Sequence, residues 1–144
     1  MTRYTSIQSL WEAGIIEKNY TPANCVLLMQ REFVEYVTGE SATYAYPALE
    51  IFSNHRKTMQ GGFISAAFDN TFGVLVVLDM KQYEMASIDL HVNYHRPIME
   101  NDKLTVKVYF QSKGRNIVSM AGEAHNNAGM LIATAATNIM LLNP

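Results

Sequence analysis

The chain has 144 residues, of which 49% are hydrophobic and 17% are charged. This length suits a single domain, and the charged fraction lies below the roughly 25% of an average soluble domain, which suggests that some surface is hidden in an oligomer. The formal net charge is -2 and the longest basic cluster is residues 55–57, so nucleic acid is not an expected partner.

Cysteine content and hydropathy predict a cytoplasmic protein with no membrane partner. Cys25 is the only cysteine, so no intrachain disulfide can form. The N-terminus lacks an apolar segment of signal-peptide length, and the longest strongly apolar run, residues 72–78, is far shorter than a membrane span. The four histidines share no metal-ligand spacing, so neither a metal nor another cofactor is expected.

The first part of the chain predicts a helical arm followed by a hairpin. Apolar residues recur at helical spacing in residues 6–13, and Pro22 suits the first turn of a second short helix. Alternating apolar residues on both sides of a turn-rich segment predict a β-hairpin over residues 31–46. We therefore expect residues 1–144 to form a single domain in which residues 1–30 are an N-terminal arm.

Residues 63–78 carry the strongest helical pattern in the chain, and Gly61 and Gly62 precede it. They are apolar nearly all round rather than along one stripe, which predicts a helix buried on every side. Four strand-like runs separated by turn formers follow, at about residues 84–95, 103–111, 117–125 and 130–141. This order predicts an α+β fold in which an antiparallel β-sheet wraps around one long central helix.

Asp69 is the one acidic residue within residues 63–78. Burying a carboxylate is costly unless it is paired or loses its charge. Composition alone supports two interpretations equally. Asp69 is either a functional carboxylate or a structural acid on a narrow polar strip with Ser65 and Asn70.

The residues around Asp69 resemble the motif of hotdog-fold thioesterases of the phenylacetate-degradation, PaaI-like type. That family has Asn, a short loop, His-Gly-Gly and then Asp. Here the same order is Asn54, a five-residue loop, Gln60-Gly61-Gly62 and, seven residues later, Asp69. Residues 87–97 are similar to the family's third strand with its terminal Pro, and residues 113–115 to the turn after the fourth.

The resemblance implies an acyl-CoA thioesterase that releases a free acid and coenzyme A, with coenzyme A as part of the substrate. Asp69 matches the general base or nucleophile, and the Gly61 amide matches the oxyanion donor. Asn54 and Ser87 match the other members of the catalytic set, and Gln60 stands at the position where the family commonly has His. The implied substrate-binding residues are Gly62, Phe63, Asn70, Lys113, Gly114 and Arg115.

The spacing of Gly61 and Asp69 bears on oligomeric state. Eight residues along a helix separate them by about 12 Å, and one thioester carbonyl cannot contact both. We therefore expect two antiparallel helices across a two-fold axis, with two equivalent sites in a homodimer and a homotetramer built as a dimer of dimers. The aromatic residues Phe63, Phe68, Phe72 and Tyr83 suggest an apolar or aromatic acyl group.

Two departures from the family pattern keep other functions open. Gln60 replaces the common His and cannot exchange a proton, and Lys57 stands where the family often has Gly. A non-catalytic acyl-thioester binding protein is one alternative. A hotdog hydratase or dehydratase acting on enoyl thioesters is a second, ranked lower because that chemistry usually pairs His with the carboxylate. A regular strand would also place His91 on the same face as Ser87.

Overall fold

The helices and strands follow the predicted order. The computed structural model describes residues 1–143. In chain order the elements are β1 (Arg3–Tyr4), α1 (Ile7–Glu12), α2 (Asn24–Leu28), β2 (Glu32–Val37), β3 (Ser41–Pro47), a 3-10 turn (Glu50–Phe52), α3 (Gly61–Met80), β4 (Met85–Tyr94), β5 (Lys103–Lys113), β6 (Ile117–His125) and β7 (Leu131–Leu141). The predicted arm helices, hairpin, central helix and four later strands are all present, so these predictions are confirmed. The two-residue β1 is too short to produce a sequence pattern.

The strands form one antiparallel sheet in the order β1-β2-β3-β5-β6-β7-β4. Alternate residues of β5 point towards α3, and Leu104, Val106 and Val108 are fully buried there. Phe68 and Phe72 of α3 are also fully buried and stack with their ring centroids 6.1 Å apart. The core thus lies between one sheet face and one helix, as the α+β prediction required.

One face of α3 remains open to solvent. Gly62 and Asp69 are exposed, and Ala66 and Gly73 are only partly buried. Their spacing of four, three and four residues places them in one stripe along the helix. The prediction that α3 is buried on every side is therefore wrong for the single chain, because apolar composition does not specify which faces neighbouring elements cover.

The helix α3 is long and apolar enough to cross a membrane when judged by length and composition alone. Its 20 residues exceed the short apolar run identified from sequence. However, 56% of its most apolar window is buried inside the protein, and a core helix passes the same test. The finding is weak evidence for a membrane span.

Asp79 anchors the C-terminal end of α3 to the sheet. Its carboxylate accepts hydrogen bonds from the Tyr36 hydroxyl (2.7 Å), the Gly39 amide and the Lys113 ammonium group (2.8 Å). Burial alone would raise the pKa of Asp79, but the three donors and the charge of Lys113 outweigh burial and hold this pKa below its ordinary value. Asp79 therefore joins the helix to the β2–β3 turn and to β5.

Candidate active site

Asp69 and Ser87 meet on the open face of α3. The Ser87 hydroxyl donates to Asp69 Oδ1 at 3.3 Å, a long distance for an O–H···O hydrogen bond. Within residues 1–143 no cationic side chain forms an ion pair with Asp69. Asn70 points elsewhere, with its Nδ2 3.5 Å from Met29 Sδ. The structure thus brings the predicted carboxylate and hydroxyl together and leaves the carboxylate accessible to solvent.

A β-bulge in β4 decides which side chains can approach Asp69. The pairing between β4 and β7 shifts directly after Ser87. Ser87 pairs with the buried Ile139, whereas His91 pairs with the exposed Ala136. Because directly paired residues share a sheet face, His91 lies on the opposite face from Ser87. The expectation that they share a face is wrong, since the bulge inserts one extra residue.

The N-terminus of α3 presents free amide groups. Gln60 is the N-cap, and its side chain does not cap the helix. Its carbonyl accepts from the amides of Phe63 (3.0 Å) and Ile64 (3.4 Å), while the amides of Gly61 and Gly62 find no acceptor in the part of the chain that the structure describes. Unpaired amides and the positive end of the helix dipole together favour a negatively charged oxygen.

Tyr94 covers this helix start, and the sequence pattern did not identify it. Its hydroxyl donates to the Gly61 carbonyl at 2.9 Å and lies 2.6 Å from Ser65 Oγ. A Cβ atom at position 61 would lie 3.0 Å from Tyr94 Cζ, closer than ordinary contacts allow. Glycine at position 61 therefore leaves room for the Tyr94 ring. Alternation along β4 points Tyr94 inward, but only the folded chain shows that it meets α3.

The Asn54 side chain organises the loop before α3. Its Oδ1 accepts from the amides of Arg56 (2.9 Å) and Thr58 (3.3 Å), and its Nδ2 donates to Thr58 Oγ1 (2.9 Å). One of the two Nδ2 hydrogens remains for another acceptor. Lys57 adopts a left-handed conformation with φ of 62°, which favours glycine. This conformation gives a physical reason for the family's glycine at that position.

The aromatic residues expected to line an acyl site are divided between core and surface. Phe68 and Phe72 are fully buried in the core of the chain and cannot line an open site. Phe63 is partly buried and stacks on Phe52 with their ring centroids 4.5 Å apart. Tyr83 is exposed. Phe63, two residues from Gly61, is thus the one of the four that lies close to the helix start.

The turn at residues 113–115, which was expected to bind substrate, lies at the other end of α3. Lys113 is already paired with Asp79, about 27 Å along the helix from Gly61. Gly114 occupies a tight hairpin position where a Cβ atom would lie 2.7 Å from the Ile117 carbonyl oxygen. Arg115 is exposed at the hairpin tip. Within one chain, these residues therefore do not join the group around the helix N-terminus.

Comparison with known protein families identifies the class of this protein. A family model described as the thioesterase superfamily matches residues 57–133, which is more than half of the chain. The chain belongs to the thioesterase superfamily. A search of curated protein sequences finds no match.

Solved structures share this fold at low sequence identity. The Escherichia coli PaaI protein from the phenylacetic acid degradation operon is 14% identical, with a TM-score of 0.80 over 94% of this chain and 95% of that chain. The smu.793 protein of Streptococcus mutans, bound to acetyl CoA, is 14% identical, with a TM-score of 0.73 over 88% and 95%. A hypothetical thioesterase of Streptococcus pneumoniae with coenzyme A is 19% identical, with a TM-score of 0.71 over 78% and 85%. These likenesses confirm the predicted hotdog fold.

Proposed function

We propose that the chain hydrolyses an acyl-CoA thioester to a free acid and coenzyme A, at a site that two copies of the chain build together. The observation that carries this proposal is the accessible Asp69 carboxylate beside Ser87, without a cationic partner within residues 1–143. A structural acid is normally paired, as Asp79 is on the same helix. Membership of the thioesterase superfamily and the fold shared with acetyl CoA-bound and coenzyme A-bound proteins support the reaction class.

The proposed chemistry assigns residues to the attack on the thioester carbon and to the carbonyl oxygen. Asp69 of one chain takes a proton from water, or attacks the thioester carbon itself, and Ser87 orients the attacking group. The partner's Gly61 amide donates to the carbonyl oxygen, whose negative charge grows as the new C–O bond forms. The C–S bond then breaks and coenzyme A leaves as a thiolate. In the water route the proton taken by Asp69 returns to this thiolate or to solvent. In the nucleophilic route the acyl group remains on Asp69 as a mixed anhydride, and water then hydrolyses this anhydride to release the free acid and restore the carboxylate.

Two features of the single chain favour the dimer that this chemistry needs. The open stripe of α3 consists largely of small residues, which permit another helix to approach closely. The strand β4 is ten residues long and pairs only with β7 within the described residues, so its outer edge is free. Long unpaired edge strands readily pair with another chain. Both features lie beside Asp69, because Ser87 belongs to β4.

Mixing two inactive variants tests whether the site is shared. Asp69→Asn removes the carboxylate. Gly61→Pro removes the amide hydrogen at a helix position that tolerates proline, with Tyr94→Ala included to make room. If each site combines Asp69 of one chain with Gly61 of the other, random mixing restores about a quarter of the sites, because half of the dimers are mixed and each has one intact site.

Unfolding and refolding the variants together, followed by a thiol-release assay over aliphatic and aromatic acyl-CoAs, measures the recovery. The activity of Tyr94→Ala alone is the reference for the double variant, because it shows how much of the loss comes from Tyr94 rather than from Gly61. No recovery in proven mixed dimers, or full activity of a monomer, would show that the site is not shared. Unchanged turnover in Asp69→Asn would show that the Asp69 carboxylate has no role in the hydrolysis.

A non-catalytic acyl-thioester binding protein is the second candidate. The observation that favours it is the Asn54 side chain, most of whose hydrogen-bonding capacity is used within its own loop. In addition, Gln60 cannot supply a proton to the leaving group. This candidate requires saturable acyl-CoA binding without thiol release by the wild-type chain. The assay above therefore separates the two functions directly.

A further inference from the structure

A cavity of about 280 Å³ lies between the N-terminal arm and the C-terminal half of α3. Its walls are mostly aromatic and aliphatic, and they include Trp11, Tyr20, Phe33, Tyr44, Val74 and Val77. Trp11 and Tyr20 remain 37% and 38% exposed, so their rings are open to solvent on one side. Apolar surface of this kind is typical of a binding site.

The cavity is separate from the group around Asp69. Neither Asp69 nor Ser87 contributes to its lining. Val74 follows Asp69 by five residues, which corresponds to a rotation of about 140° around the helix axis. Asn70, which precedes Val74 by four residues and so lies on the same side of the helix, contacts Met29. The two regions therefore use different faces of α3.

Arg31 gives the cavity its positive charge. It lies 4.7 Å above the Tyr44 ring and forms no ion pair within residues 1–143. Lys18 is a second cation in the lining, which contains no acidic residue. Burial raises the pKa of Tyr44 to about 12, while the charge of Arg31 acts in the opposite direction. A guanidinium without an acidic partner, held against an aromatic wall, is suited to a carboxylate.

We infer that this cavity binds an amphipathic monocarboxylate, with an aliphatic or aromatic body against the aromatic walls and its carboxylate on Arg31. An apolar cavity of roughly 150 Å³ is enough for benzene, so the volume here accommodates a ring with several methylene groups or a medium-length chain. A free acid of this class is also what the proposed hydrolysis releases. The inference nevertheless does not depend on that reaction, because it rests on other residues.

Trp11 makes the inference directly measurable, because it is the only tryptophan in the chain. The full chain is titrated with decanoate and with 4-phenylbutyrate while Trp11 emission is recorded. A bound apolar body shields the exposed side of the indole, so we expect a saturable shift to shorter wavelength. We expect 1-decanol, which has a similar chain without the charge, to bind at least about tenfold more weakly than decanoate.

Variants distinguish the contribution of the Arg31 charge to binding from the contribution of the apolar walls. Arg31→Gln is expected to weaken decanoate binding at least about tenfold and to leave 1-decanol unchanged. Lys107→Gln removes the same charge from an exposed site outside the cavity lining and serves as the matched control. Val77→Phe fills part of the cavity and is expected to weaken both ligands. If Val77→Phe fails to fold, the Arg31 and Lys107 variants still decide the question.

Three results would overturn the inference. These are the absence of a saturable Trp11 response, equal affinities for decanoate and 1-decanol, and unchanged decanoate binding in Arg31→Gln. All titrations are repeated in Asp69→Asn, where binding is expected to persist. If Asp69→Asn loses turnover but still binds decanoate, both proposals are supported. If the wild-type chain turns over acyl-CoA but shows no saturable Trp11 response, only the inference about the cavity is rejected.

Discussion

The two acidic residues of α3 show how differently one helix can hold a carboxylate. Asp79 has a side chain only 10% exposed and is held by Tyr36, Gly39 and Lys113. Asp69 is exposed and has one long hydrogen bond, from Ser87. The largely buried acid thus has three donors and a structural role, whereas the exposed acid is accessible to other molecules. Burial of the surrounding helix alone therefore does not identify which carboxylate is free to contact a substrate.

The largest expected effect is the loss of turnover in Asp69→Asn. We expect thiol release from acyl-CoA to fall by about a hundredfold to ten-thousandfold, the range typical of a lost general base. Because Asp69 is exposed with one weak partner, the free energy of unfolding should change by no more than about 0.5 kcal/mol. Chemical denaturation and thiol-release assays on the same preparation check both values. A large loss of stability would mean that Asp69 is a structural acid.

The matching substitution Asp79→Asn should show the opposite pattern. Three donors lose a charged acceptor, so we expect the free energy of unfolding to fall by about 2 kcal/mol. The turnover of the remaining folded protein should stay close to that of wild type. Asp69→Asn, the same change on the same helix, is the control. A stable Asp79→Asn with reduced turnover would reverse the roles assigned to the two acids.

The pH dependence of stability sharpens this contrast. The pKa of Asp79 is lowered in the folded chain, so its contribution to stability is fully present above the ordinary Asp value of about 3.9 and is lost as the pH falls through the folded-state value. The stability difference between wild type and Asp79→Asn should therefore be constant near neutrality and shrink below about pH 4. Urea titrations at several pH values measure it. A difference that grows on acidification contradicts this assignment.

A smaller effect is expected at the N-terminal end of the helix. Gly61→Ala places a methyl group 3.0 Å from Tyr94 Cζ, so we expect a stability loss of about 1 kcal/mol, within the range for overpacking. Adding Tyr94→Ala should relieve the contact, and a double-mutant cycle measures the coupling between the two positions. If stability returns but turnover does not, Gly61 is also needed for substrate approach. If the stability changes of the two substitutions are additive, the Tyr94 ring does not restrict the side chain at position 61.

The smallest expected effect concerns the loop that carries Asn54. Lys57 occupies a left-handed conformation that glycine adopts without strain, so Lys57→Gly should raise the free energy of unfolding by up to about 1 kcal/mol. Thermal unfolding detects a shift of about 2–4 °C for a change of that size. The neighbouring Arg56→Gly, at a position without positive φ, is the control and should not stabilise the chain. Equal effects of both changes would exclude strain at Lys57.

Most of the fold could be predicted from the sequence because its patterns are local. The apolar run after Gly61-Gly62 predicted α3, and alternating residues between turn formers predicted the later strands. The candidate site was predicted only as a set of residues in order. The positions of Tyr94 above Gly61 and of Lys113 on Asp79 depend on contacts between distant segments, and no local pattern encodes them.

Local patterns in the sequence predicted the class of fold, a motif around Asp69 that resembles that of thioesterases, and the separation of this acid from Gly61. Three other features became visible only in the folded chain. These are the open face of α3, the burial of Asp79 rather than Asp69, and the bulge that turns His91 away from Ser87. All three have one cause. Helix and strand propensities act between near neighbours, whereas burial, charge pairing and register depend on the segments that pack against them.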